Sequence, residues 1–191
     1  ARPNPRVVAV TSDHGEGLYS HPVAGVVRGQ PSGEACDALI PGRYRVHGDQ
    51  RFEEAIRVPL WLAGPGVPRG RVEERQVAMA DLGGALLRLA GIDTPRSGLP
   101  LSDDQPASPR VFGADRAGVF VRTPALKLMV PHLGRVGQSR RLVEVEGGGY
   151  APELEDVSAG RPDDLARLEA ELAAWRAQAS SKSGDQAAVN G

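Results

Sequence analysis

The chain has 191 residues, 40% of them hydrophobic, enough for one substantial core or for one core with an appendage. Its 23 basic and 24 acidic side chains leave a formal net charge of -1, so no general attraction draws it to nucleic acid or anionic lipid. One Cys excludes an internal disulfide and a cysteine-only metal cage, and no run is long and apolar enough to cross a bilayer.

The segment Val7–Gly17, VVAVTSDHGEG, reads as a buried strand that ends on adjacent Asp13 and His14. The apolar run Val7–Val10 predicts a strand covered on both faces, with Thr11 and Ser12 at its polar end. Gly15 and Gly17 let the backbone turn closely around whatever sits there. In an open α/β sheet, ligands bind outside the carboxyl ends of the strands. At that place Asp13 offers a hard anionic oxygen and His14 an imidazole nitrogen, half of a divalent-metal shell. The same pair also fits a turn capped by Asp beside a solvated His.

Glu16–Pro41 carries Gly, Pro and isolated apolar residues without a sustained period and reads as a long loop facing the site. Within it, Pro22 favours an extended backbone at His21, and Cys36 reads as a small, half-buried residue. Ile56, Val58, Leu60 and Leu62 then alternate as an extended segment, and Pro59 places it at an edge or a bulged entry. Gly64-Pro65-Gly66 is a firm turn. Leu82, Ala85, Leu86 and Leu89 share one face of a helix over Asp81–Ala90, with Gly91 at its C-terminal stop. Pro95–Pro109 is rich in Pro, Ser and Asp and reads as a connection. Short strands are expected at Val111–Phe112, Val119–Arg122, Leu126–Val130 and Arg141–Val145, in an antiparallel sheet. A helix over Pro162–Gln178 presents Leu165, Leu168, Leu172 and Trp175 to that sheet, with Asp163 and Asp164 at its positive end. Ser180–Gly191 reads as a disordered polar tail. The expected organisation is a core over 1–96, a linker over 97–109, a sheet-plus-helix subdomain over 110–178 and a tail over 179–191.

Four pieces carry candidate chemistry: Asp13-His14, His21, His47-Gly48, and Glu53-Glu54 followed by Arg57. The Glu pair reads most simply as solvent-facing, with Arg57 pairing one of the two carboxylates. His47 lies in a polar, Gly-containing turn before a strand, where an imidazole can reach an anionic ester. None of the four has a recognised zinc spacing.

Taken in order, SDHGEG at Ser12–Gly17, HG at His47–Gly48 and FEEAIRVPLWLAGPG at Phe52–Gly66 resemble the downstream half of a sulfatase, a family of the alkaline-phosphatase-like superfamily. VAMADLGGALLRLAGIDTP at Val77–Pro95 is similar to the helix and turn on the metal side of that fold. The resemblance covers most of residues 5–95. A weaker likeness follows in VRTPALKLMVP at Val121–Pro131 and ELEDVSAGRPDD at Glu153–Asp164. It implies an α/β fold: a partial alkaline-phosphatase/sulfatase-like core with a smaller C-terminal antiparallel sheet and packed helix. It also implies that Asp13 and His14 ligate a divalent metal, calcium in sulfatases and manganese, zinc or magnesium in related phosphotransferases. His47 takes the place of a residue that contacts the sulfate or phosphate group. Relatives often carry a Lys near that position, whereas this chain has none between Gly42 and Arg57. His21 is a candidate for proton transfer from the long loop.

The resemblance also implies a C/S-x-P-x-R signature whose Cys or Ser becomes the formylglycine nucleophile. Cys36 sits in CDALI, without that Pro and Arg. Ala1 in place of an initiator Met, a core-type strand as the first recognisable element and the absent signature together read as the downstream part of a longer protein. The nucleophile, further metal carboxylates and any targeting signal or anchor are then expected upstream. The expected activity of the whole is hydrolysis of a small-molecule or glycan sulfate ester. A phosphoryl-ester hydrolase or phosphoethanolamine transferase of the same superfamily is the first alternative. A truncated, catalytically silent interaction protein is the second.

Overall fold

The structure is a computed structural model. It describes residues 6–15, 17–22, 43–46, 51–95, 98–105, 107–115, 118–132, 139–145 and 155–189, and the side chains of all of these except 17–22, 43–46 and 180–189. The fold is α/β: among the described residues, three small antiparallel sheets combine with helices. Among the described residues, no helix is long and apolar enough to cross a membrane.

Strand β1, Val8–Thr11, is the expected strand leading to Asp13, and it pairs antiparallel with β4, Leu60–Ala63. The two form a sheet of their own, and this corrects the expected burial. Opposed residues of an antiparallel pair share a face. Val8 opposes Ala63 and Val10 opposes Trp61, so these four lie together, and Val8, Val10 and Trp61 are 53%, 53% and 63% exposed. Ala9, Leu60 and Leu62, on the other face, are half-buried. An all-apolar run reads the same whether one face is covered or two.

Between these strands the backbone departs from expectation twice. Gly17–Pro22 is not loop but strand β2, paired with β3, Arg43–Val46, so His21 lies in a strand. The extended backbone that Pro22 imposes on His21 suits that placement. Ile56 is not extended but closes a single helical turn, α1, Glu53–Ile56. There Phe52 O accepts from the amides of Ala55 and Ile56, and Glu53 O from that of Arg57. The backbone is extended from Arg57, but the paired strand starts only after Pro59, which has no amide to give a ladder.

Helix α2, Leu82–Leu89, follows a short 3-10 turn, Met79–Asp81. Its end is the expected glycine stop. Gly91 has φ 77, its amide donates to Arg88 O and that of Ile92 to Leu87 O.

The C-terminal part is a four-stranded meander in the order β5, Val111–Ala114; β6, Gly118–Arg122; β7, Leu126–Pro131; and β8, Arg141–Glu144. Helix α3, Pro162–Val189, lies on one face. Val121, Leu128, Leu142 and Leu168 are wholly buried there with Leu172, and Trp175 stacks on Phe112 at 5.4 Å between ring centroids. Each such aliphatic side chain contributes about 1.5–3 kcal/mol by leaving water. The helix continues past Gln178 to Val189, through most of the stretch expected to be disordered. Residues 179–183 are Ala, Ser or Lys in an uninterrupted row, and among residues 179–189 only Gly184 is a strong helix breaker. On the opposite face Phe120, Met129, Val143 and Val145 pack on Phe52 and Ile56 of the α1 turn. The C-terminal sheet thus lies between α3 and the segment that follows the Asp13–His14 region.

Candidate metal site

The turn after β1 is built by short polar bonds. The Thr11 hydroxyl donates to Pro59 O at 2.8 Å and ties the strand end to the entry of β4. The Ser12 hydroxyl donates to His14 O at 2.6 Å, and the His14 amide donates to Asp13 Oδ1 at 3.0 Å. His14 Nδ1 lies 2.6 Å from Gly15 O. A carbonyl oxygen only accepts, so Nδ1 carries the proton and Nε2 presents a lone pair in the neutral ring. That Nε2 is 3.7 Å from Asp13 Oδ2. The side chains are open to solvent, Asp13 at 88% and His14 at 45%. Both line a cleft of about 1750 Å³ that also takes in Glu53, Arg57, Arg75 and Arg122.

This donor pair fits a divalent cation. Carboxylate oxygen and imidazole nitrogen ligate at roughly 2.0–2.6 Å, and two donors 3.7 Å apart span neighbouring positions of one coordination shell. The backbone carbonyl on Nδ1 selects the tautomer a metal needs. Two donors are not a shell, and among the described residues no group of three or more His, Cys, Asp or Glu side chains is placed to hold a metal. The chemistry of the turn itself is acceptor-rich and suited to a cation.

Behind the turn, the Gly15 amide donates to Ala55 O at 2.8 Å. A Cβ on Gly15 would stand 1.8 Å from Glu54 O, so only glycine lets the two backbones approach this closely. Glu53 and Glu54 are therefore not a solvent-facing pair but are 8% and 7% exposed. Glu53 accepts two bonds from Arg122, both at 2.9 Å, and one from Lys127 Nζ at 3.0 Å. Burial is the largest single influence on its carboxyl and raises it, but the bonds from Arg122 and the charges of Lys127 and Arg122 together hold it below the usual range.

Sequence reasoning passed over Arg122 and Lys127, although a signal was present. Thr123 closes a tight hairpin, receiving the Leu126 amide on its hydroxyl at 2.8 Å. That turn sets Arg122 opposite Lys127 in the ladder. Two cations facing each other on the inner side of an apolar hairpin require an anion. Arg122 also donates to Gln76 Oε1, Gln76 Nε2 donates to Ser108 O at 2.8 Å, and the Ser108 hydroxyl donates to Asp81 at 2.9 Å. The network thus runs along the cleft wall. Of the remaining candidates, the side chain of His21 lies outside the described residues, as do His47, Gly48 and Cys36 entirely.

A comparison with curated proteins finds no match to the chain. A comparison with family models gives a match to Sulfatase over residues 2–92. The match takes in β1, the Asp13–His14 turn, α1, β4 and α2. Residues 2–92 are thus similar to the sulfatase family.

Proposed function

We propose that this chain supplies one side of the divalent-metal site of a sulfuric ester hydrolase. The observation that carries the reading is the Asp13–His14 turn: two cation-seeking donors at the end of a strand, on a cleft, inside the sulfatase segment. Asp13 and His14 Nε2 would hold the metal, calcium in this reading, with manganese, zinc or magnesium in the phosphoryl-transfer alternative. A bound divalent cation would neutralise charge on the nonbridging ester oxygens. His47 would position those oxygens, and His21 would assist proton transfer to the leaving alcohol.

The attack on sulfur requires a nucleophile that these 191 residues lack, since no C/S-x-P-x-R occurs in them. We assign it, with the remaining metal carboxylates, to sequence upstream of Ala1. The substrate is then a small-molecule or glycan sulfate ester, cleaved to alcohol and inorganic sulfate.

The test compares this chain with the protein extended through its upstream sequence, on an aryl sulfate, a phosphate monoester and a phosphate diester. Sulfate release by the extended protein alone is the expected result. Sulfate release by the 191-residue chain would overturn the assignment of the nucleophile. Exclusive phosphoryl transfer would select the phosphohydrolase or transferase reading, and no turnover of any ester the silent one. In the extended protein, His47→Ala should lower turnover with little change in melting temperature.

A further inference from the structure

The strand end before Asp13 and His14 is tied to Pro59 O by the Thr11 hydroxyl. Directly after the two donors, the Gly15 amide attaches the turn to Ala55 O, and Ala55 belongs to the single turn α1. An isolated helix of four residues has no stability of its own. What fixes α1 is therefore tertiary. Phe52 and Ile56 contribute apolar contacts to the inner face of the C-terminal sheet, and Glu53 is gripped by Arg122 and Lys127.

We infer that Glu53, Arg122 and Lys127 are positioning residues for the Asp13–His14 turn, so that the C-terminal sheet sets the geometry of the metal-side donors. The inference rests on the metal reading for its functional meaning, and on the contacts alone for its mechanics. Arg122 and Lys127 come from adjacent strands at opposed positions, 69 and 74 residues along the chain from Glu53. Each Arg122–Glu53 bond uses one tine of the guanidinium fork, which fixes the carboxylate in orientation as well as position. Lys127, wholly buried, adds a third bond to the same carboxylate. The constraint passes from Glu53 through one helical turn to Ala55 O and on to the Gly15 amide, which follows both donors directly. The absence of a Cβ on Gly15 keeps that junction tight.

The experiment uses the 191-residue chain with Glu53→Gln and Arg122→Lys, and Leu168→Ala as a control on the far face of the sheet. Three quantities are read: melting temperature, hydrogen exchange of the Gly15 amide under native conditions and, in the protein extended through its upstream sequence, calcium affinity by titration calorimetry with the metal alone. All three variants should lower the melting temperature. Only Glu53→Gln and Arg122→Lys should speed Gly15 exchange, by about tenfold or more, and weaken calcium binding by a factor of about ten, as supporting residues of metal ligands do. Should Glu53→Gln fail to fold, Arg122→Lys, which keeps the charge and loses the fork, decides the matter. Gly15 exchange that changes no more in these variants than in Leu168→Ala would overturn the inference. Calcium affinity equal in wild type and Asp13→Ala would instead count against the metal reading, and Gly15 exchange would still decide whether the sheet holds the turn.

Discussion

Gly15 has the most restricted position in the turn. A methyl group there would meet Glu54 O at 1.8 Å, and backbone cannot yield as a long side chain can. Gly15→Ala should therefore separate the turn from α1, with a loss of stability of about 1–3 kcal/mol, the cost typical of a forced overlap. Chemical denaturation measures it. Glu53 predicts a pH effect. Its folded carboxyl lies below the usual range, so its contribution is complete above that range and is lost as the pH falls toward the folded value. Acidification below about pH 4.5 should thus erode the stability of wild type more steeply than that of Glu53→Gln, and the gap between the two should narrow. Glu73, held down to about 2 chiefly by bonds from Arg75, adds a slope of the same sign to both proteins and cancels in the comparison. At this scale the placement of Asp13 and His14 just after a strand was legible, because a polar pair at the end of an apolar run is a local pattern. Glu53 was misread as solvated because its partners lie 69 and 74 residues away, and local pattern carries no information about pairing at that distance.

Among the elements, the two sheet systems differ in how much their apolar residues contribute. Leu128 and Leu168 are wholly buried against each other's neighbours in the core between β7 and α3. Truncating either to Ala should cost about 2–5 kcal/mol. Trp61 and Val10 oppose each other on the open face of the β1–β4 pair. Trp61→Thr should shift the stability of this chain by no more than about 0.5 kcal/mol, as substitutions at exposed positions do. A loss near that of Leu128→Ala would contradict the exposed placement. Denaturant titration of the variants side by side separates the two outcomes. The strands and helices themselves were largely legible. Period-two alternation, the Pro and Gly stops and the leucine stripe of α3 are local signals, and β5 to β8 and α2 fall where those signals place them. Burial of β1 was not legible, because it depends on what lies across the sheet rather than on the strand. The α1 turn was missed because Ile56 fits an alternating pattern and a single helical turn equally well.

In the whole molecule, a cleft separates the Asp13–His14 turn from the segment over residues 71–80, and a buried polar network joins its walls to the C-terminal sheet. That arrangement is the basis for inferring that the sheet supports the Asp13–His14 turn, although the sulfatase match ends at residue 92. The central claim is that Asp13 and His14 ligate a divalent cation. Its most direct test is the metal content of the extended protein and of its Asp13→Ala variant after metal-free dialysis and reloading with calcium. Removing an anionic ligand should lower occupancy sharply in the variant while its fold, read by circular dichroism, is kept. Equal calcium in the two proteins would contradict the assignment of the Asp13–His14 turn as a metal site.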